Sequence, residues 1–119
     1  MQASTDLEPL FDSEQLDLLR DALGPHELME MLLQLPDAAS QSLDAIRIAI
    51  AADNVDEAHR AAHMLKGFSS SLGAARLSSL AREIELELNT AAAISDRLPL
   101  LVETIDATLA ELSRAAAGA

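Results

Sequence analysis

Residues 55–88 read VDEAHRAAHMLKGFSSSLGAARLSSLAREIELEL, and the spacing of their small and apolar side chains decides the fold. Val55, Ala58, Ala62, Leu65, Ser69 and Leu72 recur at steps of three and four, the repeat of one helix face. Gly73 interrupts the stripe, and Leu77, Leu80 and Ile84 restart it. The reading is a helix from Val55 to Leu72, a tight turn at Gly73, and a second helix from about Ala75 to Leu88. Two amphipathic helices joined so closely must lie antiparallel.

The same pattern extends in both directions. Asp12 and Ser13 offer N-cap oxygens to a first short helix carrying Leu16, Leu19 and Leu23, which Gly24 and Pro25 end. Leu28, Leu32, Leu35, Ala39, Leu43, Ile46 and Ile50 then mark a long amphipathic segment. Pro36 cannot donate its backbone hydrogen bond, but the apolar phase survives on both sides, so one bent helix is expected. After Asn89 and Thr90 a last helix is expected from about Ile94, with Pro99 near its start and Ile105, Leu109 and Leu112 facing inward. The expected fold is all-α, an antiparallel up-and-down four-helix bundle with the short N-terminal helix packed over one end. One domain is expected over residues 1–119, with 1–11 a loosely held arm and 115–119 a frayed tail.

Composition agrees with helices and removes several functions. The chain has two Phe and no Trp or Tyr, so Leu, Ile, Ala and Met must fill the core. Without Cys it has no disulfide, thiolate metal site or cysteine nucleophile. The start, MQASTDLEPLFD, lacks the basic and apolar regions of a signal peptide, and no apolar run is long enough for a bilayer. A net charge of -12, from eight Lys and Arg against twenty Asp and Glu, argues against nucleic acid and anionic membranes as partners. A cytoplasmic monomer is expected, its acidity either a well-solvated surface or a means of steering toward partners with a positive patch.

One face of the third helix carries residues that a core does not need. At about 100° per residue, His63 lies roughly 120° from the centre of the inward stripe and Gly67 farther out. His59, Arg60, Lys66 and Ser70 flank them. An exposed mid-helix glycine costs about 1 kcal/mol relative to alanine, and this chain uses alanine freely. The missing side chain clears space beside the His63 imidazole, a competent nucleophile near neutral pH. Lys66 brings a positive charge to the same surface. The set suits a phosphoryl group bound to the ring.

The stretch AAHMLKGFSSSLGAARLSSLAREIE (61–85) resembles the signature of histidine-containing phosphotransfer (HPt) domains, with His63, Leu65, Lys66, Gly67, Gly73 and Ala74 at the motif positions. The likeness is densest over residues 58–85. It implies that His63 accepts a phosphoryl group from a receiver-domain aspartate and passes it to another, that Lys66 holds the phosphate and that Gly67 keeps the site open. By position it also implies that Glu85, where glutamine is frequent, orients the imidazole through Nδ1 and leaves Nε2 as the nucleophile. Phe68 replaces a smaller residue and is expected at the core boundary. The partners implied are receiver domains of response regulators or hybrid kinases. They would dock around His63 on the second and third helices, with Phe11, Leu16 and Met29 as candidate contacts or as core. Mg²⁺ is expected on the receiver, and no cofactor on this chain. No glycine-rich nucleotide loop is present, so no autonomous kinase activity is expected. Two other readings stand beside this one: an adaptor bundle with a degenerate motif, and a metal site on His59 and His63 completed by a carboxylate such as Glu85.

Overall fold

The computed structural model describes residues 8–118, with side chains as far as 115. Six helices occupy the described residues: α1 (Ser13–Leu23), α2 (Pro25–Leu32), α3 (Leu35–Ala51), α4 (Val55–Ser71), α5 (Ala75–Leu86) and α6 (Ala91–Gly118). The bundle expected from the sequence is present. α4 packs between α3 and α5, and α6 closes the ring against the same two helices.

Local chemistry sets the boundaries. The Asp12 carboxylate caps α1 by accepting from the backbone N–H groups of Glu14 and Gln15 at 3.1 and 3.3 Å. Gly24, at φ 87°, ends α1 and passes directly to Pro25 in the first turn of α2. Asn54 caps α4 through the Glu57 N–H at 3.1 Å. Gly73 turns the chain between α4 and α5 at φ 75°, a left-handed conformation that a side chain would strain.

Two expectations need correction. The segment around Pro36 is two helices, not one bent helix, and it divides at Leu33 and Gln34, two residues before the proline. Pro36 has no N–H for the Leu32 carbonyl, and the Gln34 N–H turns instead to Met31 at 3.1 Å. Pro99 is inside α6, which begins at Ala91 and not near Ile94. The helix takes in residues 115–118 of the alanine-rich tail. Residues 8–11, the described end of the expected arm, lie against the start of α5. The carbonyls of Glu8 and Pro9 accept from Arg76, through Nε at 2.8 Å and the backbone N–H at 3.0 Å, and Asp12 N–H donates to Gly73 at 2.7 Å. The rest of the expected arm, residues 1–7, lies outside the described residues.

The core is aliphatic. Leu35, Ile46, Leu65, Leu77, Leu80, Ile84, Ile94 and Leu101 are fully enclosed. Phe11, Leu16, Leu19 and Met29 are partly buried against this core, whereas Leu23 of the α1 stripe is exposed. α1 itself buries no residue completely. An Arg97–Glu83 pair, with two hydrogen bonds of 2.7 and 2.9 Å, ties α6 to α5. Among the described residues no helix is long and apolar enough to cross a membrane.

Candidate functional site

With Ala58, Ala62, Leu65 and Ser69 turned into the core, the helical repeat sends His63 and Gly67 outward on α4. The His63 side chain is 61% exposed. One turn further on, a Cβ built on Gly67 meets no heavy atom within 4 Å, so the space beside the ring is open. Nothing inside the fold requires glycine there.

The antiparallel return of α5 brings Glu85 alongside. Its Oε2 lies 2.7 Å from His63 Nδ1, while its side chain is only 16% exposed. Lys66 Nζ stands 3.3 Å from the other oxygen, Oε1, so one carboxylate touches both side chains. Burial pushes the Glu85 carboxyl up, but the contacts and charges of His63 and Lys66 outweigh it and hold the group below its ordinary range. An ionised carboxylate only accepts hydrogen bonds. Nδ1 therefore carries the hydrogen in this contact, and in a neutral ring the lone pair is on Nε2.

The flanking residues have separate attachments. His59, one turn before His63, is half-buried and its Nε2 donates to the Leu88 carbonyl at 2.7 Å. Arg60 pairs with Glu57 at 2.9 Å. Ser70 Oγ donates to the Gly67 carbonyl at 3.2 Å. The structure thus brings His63, Lys66, Gly67 and Glu85 to one surface and turns His59 and Arg60 to other partners. Among the described residues no group of three or more His, Asp or Glu side chains is arranged to hold a metal ion. Phe68 is partly buried against the core.

Sequence reasoning passes over Gln15. Its Nε2 donates to the Ser70 carbonyl at 2.6 Å, anchoring α1 to the end of the helix that bears His63. A side chain bonded to a main-chain carbonyl leaves no periodic or motif signal.

Comparison with known proteins adds one match. The sequence profile of the Hpt domain fits residues 13–117, which takes in all six helices but for the end of α6. No curated protein and no solved structure matches the chain. Over nearly its whole length, then, this chain belongs to the Hpt domain family, whose members carry phosphoryl groups on histidine in phosphorelays.

Proposed function

We propose that this protein is a phosphorelay intermediate in which Nε2 of His63 takes a phosphoryl group from a receiver-domain aspartate and hands it to another receiver. The observation that carries this reading is the 2.7 Å contact between Nδ1 and Glu85 on an otherwise exposed ring. It leaves the nucleophilic nitrogen on the open side. Glu85 fixes the tautomer and the ring plane, as partners of other functional histidines do. Lys66, 28% exposed on the same surface, supplies the positive charge that pairs with phosphoryl oxygens. Gly67 leaves room for them and for the receiver that delivers them.

The chemistry asks little more of the chain. The activated donor is an acyl phosphate, so no nucleotide site is needed here, and the divalent cation belongs to the receiver. The protein acts as a carrier and not as a kinase. Docking is assigned to the surface of α2, α3 and α4 around His63, while Phe11, Leu16 and Met29 pack against the core.

The test mixes the protein with a receiver domain bearing labelled aspartyl phosphate. Label is expected to move to the protein, to be lost in acid and kept in alkali, and to be absent from His63→Gln. Equal transfer to His63→Gln overturns the proposal, and a chain that binds the receiver without taking label is an adaptor.

A further inference from the structure

An imidazole phosphorylated at Nε2 that keeps its hydrogen at Nδ1 carries a positive charge. That hydrogen governs how readily phosphorus departs. With it, the leaving group is neutral imidazole; without it, the ring must leave as an anion. The group facing Nδ1 therefore bears on the donor step as well as on ring orientation. Here that group is a carboxylate, mostly enclosed and 2.7 Å away.

We propose that Glu85 retains the proton on Nδ1 of phosphorylated His63, so that the phosphoryl group moves on and off Nε2 with no proton entering or leaving the site. The inference rests on the carrier reading above. In loading, the Nε2 lone pair attacks phosphorus, the N–P bond forms and the acyl O–P bond breaks, its electron pair leaving with the receiver's aspartate. The ring becomes a cation beside the Glu85 anion. In unloading, a receiver carboxylate oxygen attacks phosphorus and the N–P electron pair returns to Nε2. The neutral ring is restored with its Nδ1 hydrogen in place. Glu85 is a positioning residue in both steps, since it touches the ring and not the phosphorus.

The surroundings leave this assignment to Glu85. On α4, Lys66 is the near cation, and its charge is paired with Oε1 of the same carboxylate. His59 and Arg60, one turn earlier, are engaged by the Leu88 carbonyl and by Glu57. On α5, Arg82 lies one turn before Glu85 and is exposed. α3 packs on the other flank of α4, and its residues in the groove beside Met64 (Ala38, Gln41, Ser42, Ala45) have no ionisable side chain. Among the described residues, Glu85 is the carboxylate paired with this ring.

Glu85→Gln separates charge from orientation, because the amide oxygen can still accept from Nδ1. The protein is loaded with phosphoramidate, a small phosphoryl donor, and the Nδ1 hydrogen of phosphorylated His63 is followed by nitrogen-15 NMR across a pH series. An opposite charge in contact favours a cation by about one pH unit or more. Loss of the Nδ1 proton is thus expected at a pH lower by about one unit in Glu85→Gln, a tenfold change in proton affinity. The rate of transfer to a receiver should fall off at correspondingly lower pH in the variant. Coincident titrations, in a wild type that still passes its phosphoryl group to a receiver, overturn the inference and leave the carrier reading intact. A wild type that takes no label on His63 overturns both.

Discussion

His59 and Leu88 are joined across the α4–α5 interface by a hydrogen bond of 2.7 Å from the ring Nε2 to the main-chain carbonyl. It lies one helical turn before the His63–Glu85 contact, which has the same length. Two histidines of α4 therefore hold the same stretch of chain, the first by its backbone and the second by a carboxylate. The first contact fixes the end of α5 from which Glu85 projects. Removing it is expected to loosen the site without removing the phosphoacceptor. His59→Ala should lower the unfolding free energy by about 1 kcal/mol, measured by urea denaturation, and should still take label on His63.

Gly67 separates stability from function in the opposite sense. A methyl group there meets no heavy atom of the protein within 4 Å. Gly67→Ala should stabilise the fold by about 1 kcal/mol through helix propensity alone. Gly67→Leu should fold as well, yet slow transfer from a receiver at least about tenfold, equivalent to a barrier raised by about 1.4 kcal/mol. Thermal unfolding and single-turnover transfer, measured on the same samples, check both halves.

Ser69 is a polar group in an apolar place. It is fully buried on α4, and its hydroxyl has no hydrogen-bond partner among the described residues. A buried, unsatisfied hydroxyl costs about 1–3 kcal/mol. Ser69→Ala is expected to raise the denaturation midpoint and to leave phosphoryl transfer unchanged, because the side chain faces away from His63.

Glu85 makes stability depend on acidity. Its carboxyl is held below its ordinary value of 4.5, so the folded protein binds this proton less readily than the unfolded chain. Its contribution is fully present above that value and is lost as the pH falls through the lower, folded-state value. The stability difference between wild type and Glu85→Gln should therefore shrink on acidification below about pH 4.5. Denaturant titrations of both proteins through that range measure it.

Helical phase in α4 is enough to place His63 and Gly67 outside and Leu65 inside, because no proline or glycine turn disturbs that helix before Leu72. Glu85 is reachable only through the spacing of a known motif, since nothing in the residues around it marks a partner on another helix. Pro36 shows where pattern fails. The apolar repeat runs through it unbroken, and Leu33 and Gln34 keep helical torsions, so periodicity does not tell a bend from a break. The bond from His59 to Leu88 and those from Arg76 to Glu8 and Pro9 end on main-chain carbonyls, which every residue has. Such contacts leave no trace in side-chain identity. Leu23 illustrates the reverse case, a leucine in phase with its stripe that α1 leaves exposed because the helix is short and packs chiefly on α2.

The ties from the N-terminal segment to the α4–α5 turn also order events in time. They join positions 55 and 68 residues apart, Gln15 to Ser70 and Glu8 to Arg76. Closing so long a loop carries an entropy cost that a hydrogen bond offsets only once its target exists. The α4–α5 hairpin, joined by three residues, can form before that loop closes. α1, which buries no residue completely, should then dock last in folding and detach first in the native state. Amide exchange faster in α1 than in α4 would record the sequence, with the four-helix ring still closed while α1 comes and goes.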